Sequence, residues 1–267
     1  MRVIRFTVAT EKGLGTDPLF GLLEPDNSIK LLKGDPIYAG FNPISSNEVN
    51  LNLSEVRLLA PVIPRSKVVC IGKNYADHAA EMDSKVPTSP IIFIKPNTSV
   101  IGPNEVITWP KMSERIDHEA ELAIVIGRIC KSVPANKIKE VIFGYTIAND
   151  VTARDLQKID GQWTRAKGFD GFCPIGPWIE TEFAPLNQKI SAKVNGEIKQ
   201  QDVLSNMVFK IGQIIEFVTE AMTLLPGDVI LTGTPAGVSA MPEGADIEIE
   251  IEGLGSLKNK LSAKPKP

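Results

Sequence analysis

The sequence predicts a β-rich α+β fold with long functional loops. Short apolar runs of strand length recur between turn signals, and only one stretch carries a sustained helical period. Glycine and proline, 21 and 20 of the 267 residues, punctuate the chain between these runs. Apolar residues make up 43% of the chain, enough for a core and too many for a disordered polymer. At roughly 150 residues per domain, the length fits one large domain plus an appendage. We place a small N-terminal α+β module at residues 1–62 and the main domain at 63–267.

The opening Met1-Arg-Val-Ile-Arg-Phe alternates as a strand does and lacks the apolar core of a signal peptide. Phe20-Gly-Leu-Leu-Glu and Ser28-Ile-Lys-Leu-Leu flank the turn Pro25-Asp-Asn and read as two short strands. Pro61 and Pro64 mark the joint to the main domain. Lys67-Val-Val-Cys-Ile-Gly is a buried strand, Asn74 to Met82 has helical composition, and Ile91-Ile-Phe-Ile-Lys is a strand again. Glu121 to Gly127 and Gly144 to Asp150 are further strands, with a helix expected over Ala135 to Val141 between them. Val194-Asn-Gly-Glu is a hairpin turn, because Asn-Gly accepts the positive φ angles of type I′. Ser205 to Leu225 is the best helix: Met207, Ile211, Ile214, Ile215 and Val218 share one face, and Pro226-Gly227 ends it. Asp246 to Glu252 alternates isoleucine with acid, as a half-buried strand does.

Composition excludes several functions. With 32 acidic and 29 basic residues, a net charge of -3 and no block of five like charges, neither a nucleic-acid groove nor a membrane-facing basic patch is expected. Two histidines exclude a histidine-rich zinc site, and three distant cysteines fit neither a disulfide framework nor a thiolate zinc site. No apolar run approaches the roughly 20 residues that span a bilayer. A soluble cytoplasmic protein with a small-molecule partner is the expectation.

Chemistry concentrates in Asp117-His-Glu-Ala-Glu-Leu-Ala. Glu119 and Glu121 stand two apart at a strand start, so their side chains share a face and repel unless a positive charge lies between them. A hard divalent cation suits such an oxygen site, although a solvated strand end carries the same pattern. Asp150 ends an apolar strand abruptly and offers a third carboxylate, or a helix N-cap. His78 and Glu81, three apart, form either a general-base pair or an ordinary surface pair. His118 points away from the two glutamates and is assigned no more than a supporting role. Lys167 sits in a loop rich in glycine and aromatics, where it either meets a substrate anion or is solvated. Thr232-Gly-Thr-Pro-Ala-Gly-Val resembles an anion-cradling turn without the spacing or lysine of a nucleotide loop.

Together, Ile71-Gly-Lys-Asn-Tyr-Ala-Asp-His-Ala-Ala-Glu, Phe93-Ile-Lys-Pro, His118-Glu-Ala-Glu-Leu-Ala and Asn149-Asp-Val-Thr-Ala-Arg-Asp-Leu-Gln resemble the fumarylacetoacetate hydrolase family. Ala166-Lys-Gly-Phe-Asp through Pro174-Ile-Gly-Pro and Leu225-Pro-Gly-Asp-Val-Ile-Leu-Thr-Gly-Thr-Pro extend the match in the family's order. The resemblance implies a mixed β-sandwich roll behind a small N-terminal module, and a homodimer. It also implies one Mg²⁺ or Mn²⁺ on Glu119, Glu121 and Asp150, with Lys167 beside it and His78–Glu81 as a catalytic dyad on a mobile lid. Arg154, Gln157 and Thr234, with Lys73 and Tyr75, are assigned to the substrate site on the same ground.

The implied activity is metal-dependent carbon–carbon cleavage of a short 2-oxo acid through a stabilised enolate, either oxaloacetate decarboxylation or acylpyruvate hydrolysis. A 2-hydroxyhepta-2,4-diene-1,7-dioate-type isomerase of aromatic catabolism is the alternative. A catalytically silent binding scaffold is the third reading.

Overall fold

The structure is a computed structural model that describes residues 1–8, 17–44, 51–81 and 85–266. Strands dominate it, and the helices are short. Among the described residues, a twelve-stranded mixed sheet runs from Leu51–Asn52 through Ser28–Leu32, Leu19–Leu23 and Arg2–Val8 into Cys173–Glu180. It continues through Ile142–Asn149, Ala120–Ile126, Val229–Leu231 and Val68–Gly72 to Ile91–Lys95. A second sheet of five strands is built on Lys189–Val194, Asp246–Ile251 and Gly255–Leu261. The N-terminal stretch joins the large sheet directly: Arg2 and Val3 pair with Glu180 and Ile179.

The strand Ala120–Ile126 is buried on both faces, which is why it reads as a continuous apolar run. Leu122, Ile124 and Ile126 face a core shared with Ile190, Ile247 and Ile249 of the second sheet and with Ile214, Ile215 and Val218 of the helix Ile211–Ala221. Ala123 and Val125 face the opposite cluster, with Val3, Val68, Cys70 and Ile175. The strand is therefore held rigidly by packing on each side, a suitable mount for a charged cluster at its N-terminal end.

The expected strands form, including the Asn195–Gly196 hairpin with φ of 51° and 82°. Two helical expectations need correction. The helix expected from Ser205 spans only Ile211–Ala221, because Asn74 captures the backbone ahead of it. Its carbonyl accepts from Val208 N at 2.8 Å and its Oδ1 from Phe209 N at 2.7 Å, which holds these residues out of the helix, behind the 3-10 turn Leu204–Asn206. The other end stops at Ala221, before Pro226-Gly227, as Leu224 leaves to pair with Cys130. The stretch expected as a helix over Ala135 to Val141 is a 3-10 helix, Ala135–Glu140, which buries no side chain. The helical segment near His78 is Ala76–Glu81, and Met82 lies outside the described residues. No helix among the described residues is long and apolar enough to cross a membrane.

Candidate active site

Antiparallel pairing of Ala120–Ile126 with Ile142–Asn149 sets Glu119 beside Asp150, and Asp150 N donates to Glu119 O at 2.9 Å. The alternation of the strand sends Glu119 and Glu121 to the same side. Their carboxylates and that of Asp150 come within 4.8 Å of one another, all three buried. They form the floor of a cavity of about 210 Å³. Ile71, Phe93 and Trp163 give it an apolar wall, and Lys73, His78, Arg154, Gln157, Lys158, Lys167 and Thr234 complete the lining. Phe93 and Trp163 meet edge to face at 5.1 Å, and a Cβ on Gly72 would lie 2.6 Å from the Trp163 ring. Glycine at position 72 is what lets the indole close that wall.

Cations are threaded through the carboxylates. Lys167 Nζ donates to Glu119 at 2.8 Å, Asp150 at 2.6 Å and the Thr152 hydroxyl at 2.8 Å. Lys95, fully buried, donates to the other oxygen of Asp150 and to Val151 O. Arg154 bridges outward, its Nε on Asp117 at 2.8 Å, one terminal nitrogen on Glu119 at 2.5 Å and the other on Gln157 at 2.7 Å. Burial alone would raise the Glu119 carboxyl, but Lys167 and Arg154 overcome it and hold the group far below the usual carboxylate range. Burial likewise opposes the charge on Lys167, yet Asp150 and Glu119 hold it charged well above the ordinary lysine value.

Glu121 differs. Its strong partner is one backbone amide, Gly233 N at 2.5 Å. Burial, reinforced by repulsion from Asp150 and Glu119, pushes its carboxyl well up. Three hard oxygen donors converge here, and one of them lacks the positive charge that would keep it ionised. This donor set fits a hard divalent cation such as Mg²⁺ or Mn²⁺ on Glu119, Glu121 and Asp150.

His78 reaches the cavity from the helix Ala76–Glu81, and its Nδ1 lies 3.3 Å from Glu81 Oε2. Glu81 is pinned in turn, accepting from Gly237 N at 3.1 and 3.2 Å. Lys73 lines the cavity from a backbone with φ of 56°, a left-handed position rare for lysine.

The structure does not bring Tyr75 to the cavity. The residue is 1% exposed, packs in the main core and bridges through its backbone to Met207. His118, on the other side of the strand, meets Gln200 and Ser239. Sequence reasoning passed over Lys95 as a member of the cluster and Asp117 as the anchor of Arg154 and Arg115. Lys95 had the same signal as Asp150, a charge closing an apolar strand. Asp117 had none beyond its place in an acidic run.

A family model described as fumarylacetoacetate (FAA) hydrolase C-terminal matches residues 67–262, and one described as Rv2993c-like, N-terminal matches residues 1–61. Protein Rv2993c of Mycobacterium tuberculosis is 55% identical over 218 residues, covering 80% of this chain and 82% of that protein. The mitochondrial oxaloacetate tautomerase Fahd2a of Rattus norvegicus is 44% identical over 219 residues, 78% of this chain and 70% of the relative. Among solved structures, 2-hydroxyhepta-2,4-diene-1,7-dioate isomerase from Mycobacterium marinum superposes with a TM-score of 0.86 at 44% identity, covering 100% of both chains. Fumarylpyruvate hydrolase from Pseudomonas aeruginosa, in complex with Mn²⁺ and pyruvate, superposes with a TM-score of 0.71 at 29% identity, covering 78% of this chain and 92% of that one.

Proposed function

The chain belongs to the fumarylacetoacetate hydrolase family, and we propose that within it the protein cleaves a carbon–carbon bond of a short 2-oxo acid in a divalent-metal-dependent reaction. Oxaloacetate decarboxylation and acylpyruvate hydrolysis are the two forms of that reaction the site supports. The observation that carries the reading is the buried trio Glu119, Glu121 and Asp150 with Lys167 among its oxygens, at the floor of a cavity of about 210 Å³. Mg²⁺ or Mn²⁺ held by these three carboxylates would supply Lewis acidity toward the carboxylate and keto oxygens of the acid.

The chain's own residues account for the rest. Lys167, held charged, sets a buried positive charge where negative charge develops on the substrate oxygen. Arg154 and Gln157, locked together at 2.7 Å, present a rigid polar edge that orients the acid. Phe93 and Trp163 set an apolar wall beside the place of the reacting carbons. Glu81 is placed to accept from His78 Nδ1, so that in the neutral ring Nε2 is the nitrogen that can take a proton from an attacking water in a hydrolysis. Decarboxylation needs no such water.

A second reading is interconversion of keto and enol or diene forms without bond cleavage. It is supported by the 44% identity to a protein named oxaloacetate tautomerase and to one named as a diene-dioate isomerase. A Mn²⁺-supplemented panel of oxaloacetate, acetylpyruvate, fumarylpyruvate and a hydroxymuconate-type diene separates them. Cleavage of at least one of the first three is expected. Inactivity on all three, with enol absorbance of oxaloacetate still relaxing faster than in buffer, would replace cleavage by tautomerisation. Glu119→Ala should abolish Mn²⁺ binding. His78→Ala should spare it while slowing hydrolysis by about 10²–10⁴-fold, and unchanged hydrolysis removes His78 from this role.

A further inference from the structure

Behind the cavity, on the far side of the strand Ala120–Ile126, lies a buried polar chain that the chemistry above does not use. Gln200 is 0% exposed and makes four hydrogen bonds. Ala120 N donates to its Oε1 at 2.9 Å, and its Nε2 donates to Pro235 O at 2.7 Å. A backbone N–H can only donate and a proline carbonyl can only accept, so these two backbone groups fix which end of the amide is which. The remaining two bonds then have assigned directions. His118 Nδ1, 3.0 Å from Oε1, must carry a hydrogen. Thr234 Oγ1, 2.8 Å from Nε2, must accept. On its far side, His118 Nε2 lies 3.0 Å from the Ser239 hydroxyl, which can serve either protonation state of that nitrogen. Nothing in the chain therefore depends on whether His118 is charged.

The consequence falls on Thr234. It is 3% exposed, lines the cavity and has one of its two acceptor lone pairs taken by Gln200. Among the described residues no acceptor takes its own hydroxyl hydrogen, and a buried donor without a partner is costly. We propose that Gln200 is a positioning residue: by donating to Thr234 Oγ1 it turns the hydroxyl hydrogen of Thr234 into the cavity, so that Thr234 meets a ligand as a hydrogen-bond donor, best matched by a carboxylate, keto or enolate oxygen. The chain Ser239–His118–Gln200–Thr234 thus orients the Thr234 hydroxyl from outside the cavity, as outer hydrogen bonds commonly orient inner ligands. This deepens the proposed function and rests on it only for the choice of probe below.

Two measurements test it. The chain has two histidines, so His78→Ala leaves a single ring in long-range ¹H–¹⁵N spectra of the full protein. His118 is expected to be protonated at Nδ1. A bare Nδ1 overturns the proposal, whatever the enzyme turns over. The second measurement is oxalate affinity of the Mn²⁺-loaded protein by calorimetry. Thr234→Val should weaken oxalate on the order of tenfold, while Thr234→Ser holds the affinity of the unmodified chain. Gln200→Met should weaken oxalate severalfold alone and cause no further loss when combined with Thr234→Val. Additive losses, or no effect of Gln200→Met alone, overturn the positioning role. If Gln200→Met does not fold, the His118 spectrum and the Thr234 pair decide. Failure of the unmodified chain to bind oxalate counts against the proposed function and leaves the His118 result standing as the test of this inference.

Discussion

Lys167 shows how one side chain can hold a buried site together. With its ammonium shared by Glu119, Asp150 and Thr152, it offsets the cost of burying carboxylates. The residue pattern announced the acids, because carboxylates at strand ends are conspicuous; it left Lys167 open between a substrate anion and solvent, the family resemblance put it beside the metal site, and Lys95 was passed over. The helix Thr164–Lys167 brings one lysine from 17 residues beyond Asp150, and the strand Ile91–Lys95 brings another from 55 residues away. Asp228 is a second buried carboxylate, used for structure. It accepts from the Ser66 hydroxyl and amide, the Lys67 amide and ammonium, and Leu225 N. Burial opposes its charge, but these bonds win and hold its carboxyl below the ordinary 3.8. A carboxyl whose folded pKa lies below its unfolded value contributes stability that is complete above about pH 4 and is lost as pH falls through the folded value. Asp228→Asn should therefore lower unfolding stability by about 2–3 kcal/mol at neutral pH. In denaturant titrations the gap to the unmodified chain should narrow as pH falls below about 4, and a pH-independent gap would refute the assignment.

At the scale of elements, the turn after the strand Val229–Leu231 is the piece whose backbone acts on the site. Thr232 ties it to Leu122 by N and Oγ1, at 3.1 and 3.0 Å, and Asn74 Nδ2 caps Thr232 O at 2.7 Å. Gly233 then adopts φ of 98° and turns its amide onto Glu121. A Cβ there would lie 2.6 Å from Asn74 Cβ, so both the conformation and the space require glycine. Gly233→Ala should cost about 1–2 kcal/mol from the backbone conformation alone. It should also weaken Mn²⁺ binding in calorimetry, whereas Gly196→Ala, at a positive-φ turn with open space around it, should leave Mn²⁺ affinity unchanged. The Thr232-Gly-Thr-Pro run was legible as an anion-cradling turn. That its amide serves a protein carboxylate was not, because the partner strand is 112 residues away in sequence.

For the whole molecule, the decisive feature is that the N-terminal stretch and the main domain share a sheet. Arg2–Val8 is hydrogen-bonded to Cys173–Glu180, and Val3 packs in one cluster with Val125, Ile175 and Ile179. Thermal unfolding followed in parallel by near-ultraviolet and far-ultraviolet signals should give one coincident transition. Two separated transitions would show that residues 1–62 fold as an independent unit. A chain starting at residue 63 should lose stability and associate, because it bares the edge of the strand Cys173–Glu180 together with the apolar face that Val3 covers.

The residue order by itself determined the strand pattern, the hairpin at Asn195–Gly196, the acidic residues at the strand ends and the family, since each is written in local periodicity or in a run of a few residues. Tertiary structure decided which charges meet. It placed Lys95 among the acids, Asp117 behind Arg154, and Tyr75 in the core instead of the cavity. It also shortened the helix at Ser205, where Asn74 offers the backbone better partners than the next helical turn does. The reason is common to all of these. Charge compensation and backbone capture are contacts between segments far apart in sequence, and their energy exists only once the sheets have packed.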